Sequence, residues 1–143
     1  MGVTIRSVWE AEMNRKKIVI AEDDPVMRRI LTHTVESMGF MAINCTNGAI
    51  ALDLLKAKPD IALLVTDVAM PSMDGDQLVQ AVRALDERAD LPIIIISAVV
   101  KAKQIEHLLD LGVSRFLPKP VNVSHLRDYI TQLIGQREQV LVS

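Results

Sequence analysis

Ile61-Ala62-Leu63-Leu64-Val65-Thr66-Asp67 decides the fold. It opens with an unbroken apolar stretch and ends on a hydroxyl and a carboxylate. A strand with one wet face alternates apolar and polar residues, whereas an unbroken run fits a strand buried on both faces, covered by helices above and below. Ile18-Val19-Ile20-Ala21 and Ile93-Ile94-Ile95-Ile96 have the same character. Five such runs are read in all: Lys17–Ala21, Phe40–Cys45, Ile61–Thr66, Leu91–Ser97 and Arg115–Leu117.

Segments of helical period lie between these runs. Pro25–Met38 opens on proline and stops before Gly39. Asn47–Lys58 carries Ile50, Leu54 and Leu55 on one face and ends at Pro59. Asp76–Glu87 groups Leu78, Val79, Val82 and Leu85. Lys101–Leu111 groups Ile105, Leu108 and Leu109 before Gly112. Asn122 caps a last helix bearing Leu126, Tyr129, Ile130, Leu133 and Ile134, with Gly135 near its end. The βα unit repeats five times, which predicts an α/β domain with a doubly wound five-stranded parallel sheet flanked by five helices.

The chain of 143 residues has room for a single core. Half of it is hydrophobic but only 3% is aromatic, so the core is aliphatic. A formal net charge of −2 gives no basic surface for nucleic acid, so direct nucleic-acid binding is not expected. The lone Cys45 makes no internal disulfide and fits a core thiol in a reducing, cytoplasmic setting. No stretch approaches the ~18 apolar residues of a membrane span, and no signal peptide is read. The expected organisation is an N-terminal extension over 1–16, a domain over 17–137 and a tail over 138–143. The extension is polar and carries Trp9. It reads as frayed or loosely docked, with Met13 as an alternative start.

Ligands of open parallel sheets bind at the carboxyl ends of the strands, near the point where strand order reverses. Glu22, Asp23 and Asp24 follow the first strand, Asp67 the third, Ser97 the fourth and Lys119 the fifth. One acidic residue at a strand end is ordinarily a turn or cap residue. Four strand ends supplying carboxylates, a hydroxyl and an ammonium form a pattern suited to phosphoryl transfer. Clustered carboxylates repel unless a cation joins them. Oxygen ligands without His or Cys select Mg²⁺, with Mn²⁺ as the alternative. Lys119 and Ser97 would hold the remaining phosphoryl oxygens, and a carboxylate is a competent nucleophile.

The sequence resembles the receiver domains of bacterial two-component response regulators, in particular single-domain receivers of the chemotaxis-regulator type. The resemblance is carried by Ile20-Ala21-Glu22-Asp23-Asp24-Pro25, Thr66-Asp67-Val68-Ala69-Met70-Pro71-Ser72-Met73-Asp74-Gly75, Ser97-Ala98 and Lys119-Pro120, and spans roughly Lys17 to Ile134. It implies a flavodoxin-like fold of receiver type. It implies Asp67 as phosphoacceptor, and Mg²⁺ held by Glu22, Asp23, Asp67 and the backbone carbonyl of Ala69, with Asp23 a direct ligand and Glu22 acting through water. Ser97 and Lys119 would contact the phosphoryl group. Ser97 and Phe116 would form the switch. The peptide before Pro120 is commonly cis in such domains, and Asp24 is read as a helix cap.

Expected partners follow from the same resemblance: a histidine kinase or histidine phosphotransfer protein meeting the first helix of the repeat (Met27, Arg28, Ile30, Leu31, Val35), a downstream protein target, and a phosphorylation-dependent homodimer. The responsive face would contain Lys101, Gln104, His107, Leu111, Arg115 and Phe116. Apolar Ala69 and Val99 beside the phosphoryl position predict a long-lived aspartyl-phosphate. Catalysis beyond the domain's own phosphorylation and dephosphorylation is not expected.

Three other readings are weighed. A nucleotide-binding module needs a glycine-rich turn where this chain has Glu22-Asp23-Asp24-Pro25. A haloacid-dehalogenase-type phosphatase needs a second aspartate where Ala69 stands. A pseudo-receiver acting by binding alone would ordinarily have lost acidic or lysine positions that are all present here. The chain reads either as a stand-alone regulator or as a piece of a longer regulator or hybrid kinase.

Overall fold

The computed structural model describes residues 4–98 and 101–135. Helix α1 (Ile5–Met13) precedes five βα units. These are β1 (Lys17–Ala21) with α2 (Pro25–Ser37), β2 (Met41–Cys45) with α3 (Gly48–Ala57), β3 (Ile61–Asp67) with α4 (Gly75–Arg83), β4 (Ile93–Ser97) with α5 (Ala102–Asp110), and β5 (Arg115–Pro118) with α6 (Val123–Ile134). The strands form one parallel sheet in the order β2-β1-β3-β4-β5. The order reverses between β1 and β3, so their carboxyl ends flank the crevice where such folds hold ligands.

The unbroken apolar runs are explained by the pleat. Ile18, Ile20, Leu63, Val65, Ile94 and Ile96 point to one face, against Leu31 and Val35 of α2 and Leu126 and Ile130 of α6. Val19, Leu64, Ile93 and Ile95 point to the other, against residues of α3, α4 and α5 that include Leu55, Leu78, Val82 and Leu108. Burying each such side chain stabilises the fold by about 1.5–3 kcal/mol. Helix starts are fixed by side chains: Asp24, Asn47 and Asn122 accept the amides of Val26, Ile50 and His125, and Asp74 forms a capping box with Gln77. The predicted cap role of Asp24 is thus observed.

Two local readings change. The segment predicted as a helix over Asp76–Glu87 ends at Arg83, followed by an extended Leu85 and a 3-10 turn over Asp86–Arg88. The cause is Arg88, which is only 6% exposed. Its guanidinium donates to the carbonyls of Leu55, Lys58 and Ile61, out of reach of a continued α4. Arg83 likewise donates to the carbonyls of Leu111, Arg88, Leu91 and Gly112, closing the end of the sheet away from the crevice.

The other change is at the N-terminus. Residues 5–13 are helical, capped by Thr4, which adds a sixth helix to the five expected. Ile5 and Trp9 on it remain 90% and 64% exposed. The link after α1 is tied down by Arg15, donating to the carbonyls of Gly39 and Phe40, and by Lys16, donating to that of Ile134. Val99 and the tail from residue 136, with the expected boundary at 137/138, lie outside the described residues.

Candidate functional site

The crevice collects what the strand ends supply. Glu22 follows β1 and is fully buried, while Asp67 ends β3 and is 6% exposed. Asp23 is exposed beside them. Carboxylate oxygens of Glu22, Asp23 and Asp67 lie within 4.8 Å of one another. Lys119, just past β5, extends Nζ to 2.6 Å from Asp67 Oδ2 and 2.9 Å from Glu22 Oε1. Asp67 Oδ1 accepts the amide of Ala69 at 3.3 Å. Glu22 takes the amide of Asp24 on its second oxygen.

Ser97 lies at the end of β4, 8% exposed, with its carbonyl accepting the Lys119 amide at 3.0 Å. That bond aligns the serine with the lysine across the β4–β5 edge. Lys119–Pro120 is cis. Phe116 is half-buried beside a cavity of about 210 Å³, which Ser97, Ile95 and Ile105 also line. The chain therefore brings together Glu22, Asp23, Asp67, Ala69, Ser97 and Lys119, with Phe116 lining the same cavity as Ser97.

One cation faces three carboxylates, and the imbalance falls on Glu22. Burial, then the nearby charge of Asp67, outweigh the opposing pull of the Lys119 ammonium and push the Glu22 carboxyl up to about 7. Glu22 Oε1, although close to Lys119, takes no well-angled hydrogen bond. For Lys119, burial works against the ammonium, but its contacts with Asp67 and Glu22 prevail and raise it above its ordinary range. A buried, under-bonded carboxylate oxygen in an all-oxygen cluster fits a hard divalent cation.

Two contributors were not read from the sequence. Arg28 donates to the carbonyls of Glu22 and Asp23, bracing the turn that carries the acidic pair. Gly48 donates to the carbonyl of Met73 in the loop after Asp67. Arg28 had only been placed on a docking helix. The Asn47-Gly48 pair is a helix-start signal in the sequence, but its neighbour across the crevice is visible only in three dimensions.

The family model of the response regulator receiver domain matches residues 18–131. The chain belongs to this family. This receiver is 34% identical over 126 residues to the chemotaxis protein CheY-3 of Vibrio cholerae, covering 87% of this chain and 96% of CheY-3. It is 35% identical over 127 residues to the sensor histidine kinase TmoS of Ectopseudomonas mendocina, covering 88% of this chain but 13% of TmoS. Among solved structures, a response regulator receiver protein from Pseudomonas putida superposes with a TM-score of 0.78 at 29% identity, covering 82% of this chain and 97% of that one. The receiver is thus a two-component signalling domain with the flavodoxin-like sheet expected. No helix among its described residues is long and apolar enough to cross a membrane.

Proposed function

We propose that Asp67 accepts the phosphoryl group of this receiver, from a phosphohistidine on a histidine kinase or histidine phosphotransfer protein. The observation that carries the proposal is Asp67 itself: a buried carboxylate at the reversal of strand order, bonded to Lys119 at 2.6 Å and flanked by Glu22 and Asp23. A carboxylate oxygen attacks phosphorus, the P–N bond breaks, and the imidazole leaves with the electron pair and takes up a proton. An aspartyl-phosphate remains.

Glu22, Asp23, Asp67 and the Ala69 carbonyl would hold Mg²⁺, or Mn²⁺ in its place, which when bound offsets the charge of the carboxylates and of the incoming phosphoryl group. Lys119 follows the new phosphoryl oxygens with its ammonium. Ser97 donates its hydroxyl to one of them. Phe116 then turns toward the cavity beside Ile95 and Ile105, and the surface of α5, β5 and α6 changes for a downstream protein target or a second phosphorylated copy. The domain catalyses only its own phosphorylation and dephosphorylation. Ala69 offers no polar side chain to orient a hydrolytic water, so the phosphoryl group is long-lived. The receiver unit spans 17–137, with the extension 1–16 and tail 138–143 outside it, in a reducing cytoplasmic setting.

Incubation with acetyl phosphate and Mg²⁺, followed by intact-mass analysis, tests this. One phosphoryl group is expected on the wild type and none on Asp67→Asn. A wild type without adduct would replace this reading with that of a pseudo-receiver. An adduct that decays within seconds would overturn the long lifetime.

A further inference from the structure

The loop from Val68 to Asp74 carries Ala69, whose amide bonds Asp67, and leads to α4. Its two ends are held from within: Ala69 N–H donates to Asp67 Oδ1 at 3.3 Å, and Gly75 N–H donates to the Val68 carbonyl at 2.8 Å. Its middle holds Ser72 at a φ of 66°, a left-handed conformation unusual for serine. Among the described residues, the one backbone bond joining this middle to another segment is Gly48 N–H to the Met73 carbonyl, 3.0 Å.

Gly48 opens α3, and the approach needs glycine. A Cβ built there would stand 2.5 Å from the Met73 carbonyl oxygen and 3.1 Å from its carbon. Both are backbone atoms, which cannot swing aside as a side-chain tip can. Any other residue must push the loop away from α3 or tilt the start of the helix.

We propose that Gly48 is a positioning residue for the phosphoacceptor site, its bare Cα and amide fixing the loop that presents Ala69 to Asp67. The inference rests on the proposed role of Asp67 and its loop. In this account α3, which supplies no group to the crevice, sets its geometry through one hydrogen bond. Binding at the site and closure of the Gly48–Met73 contact must then favour each other reciprocally.

Two measurements test it. In the wild type, Mg²⁺ with beryllofluoride should slow exchange of the Gly48 amide by about fivefold or more, because that contact tightens with the loop. The Gly39 amide, bonded to the Glu36 carbonyl at 3.0 Å at the end of α2 away from the crevice, serves as the reference and should change by less than about twofold. Separately, Gly48→Ala should weaken Mg²⁺ binding, read by calorimetry, by about fivefold or more. Ile130→Val, a core change on the opposite face of the sheet, controls for lost stability and should keep the wild-type affinity.

A Gly48 amide indifferent to Mg²⁺ and beryllofluoride overturns the proposal. So does a folded Gly48→Ala protein with wild-type Mg²⁺ affinity. If Gly48→Ala does not fold, the exchange measurement on the wild type decides. A wild type that neither binds Mg²⁺ nor accepts a phosphoryl group would instead sink the phosphoacceptor reading, an outcome distinct from either result on Gly48.

Discussion

Lys119 Nζ lies 2.6 Å from Asp67 Oδ2, joining the end of β5 to the end of β3 across the intervening β4. The lysine side chain is 21% exposed and the aspartate 7%, so the pair is shielded from water although not sealed. Replacing Lys119 by methionine keeps the bulk and leaves Asp67 and Glu22 without their cation. Stability without metal should fall by ~1–3 kcal/mol, below the range for breaking fully buried pairs because of the residual exposure. Urea denaturation with and without Mg²⁺ checks it, and the deficit should shrink when Mg²⁺ is present.

Glu22 gives a pH signature. Below about 4.5, the ordinary value, folded and unfolded chains both hold the proton and the group contributes nothing. Between there and about 7 the unfolded chain has released a proton that the folded one keeps. Stability from this group therefore falls as pH rises through that window, and the full penalty is present above it. Metal-free Glu22→Gln should be more stable than wild type by ~1–2 kcal/mol at pH 8, with the gap narrowing toward pH 5. Mg²⁺ should reverse the order, because glutamine removes a ligand charge. Denaturation midpoints at the two pH values, with and without Mg²⁺, measure this.

Arg88 is a buried cation whose guanidinium donates to three carbonyls, those of Leu55, Lys58 and Ile61. Arg88→Ala leaves three acceptors facing a void. A loss of ~2–4 kcal/mol is expected, with little effect on phosphorylation of the folded fraction, since these carbonyls belong to the end of α3, the link after it and the amino end of β3. Thermal unfolding together with acetyl phosphate labelling separates the two effects.

Cys45 is 5% exposed, and burial pushes its thiol from 9.0 up to about 11. At pH 8 the folded protein should react with iodoacetamide at least ~100-fold more slowly than the unfolded chain, as follows from the smaller thiolate fraction alone. Between about 9 and 11 the unfolded thiol ionises first, so this group lowers stability as pH rises. Alkylation followed by mass analysis in native and denaturing buffer is the check.

The parallel sheet was legible because runs such as Leu63-Leu64-Val65 can only be buried on both sides, and the structure sends them to opposite cores. Glu22, Asp23, Asp67, Ser97 and Lys119 could be placed in one crevice because each directly follows a strand, and strand ends converge in this topology. Arg88 defeated helical periodicity: a charged residue in a polar stretch gives no sign that it will be buried on carbonyls from α3 and β3. The exit of α4 was misplaced for that reason. Gly48 was hidden because its partner, Met73, is distant along the chain and contributes only a carbonyl, a group every residue has. Helix α1 was obscured by a sequence whose apolar residues remain exposed once it forms.

The scattering of the site along the chain has a consequence during synthesis. Glu22 emerges from the ribosome first, Asp67 follows, and Lys119 comes only with the last strand. A growing chain that already displays the Asp67 loop still lacks the lysine, so the Asp67–Lys119 pair forms only once the last strand has joined the sheet.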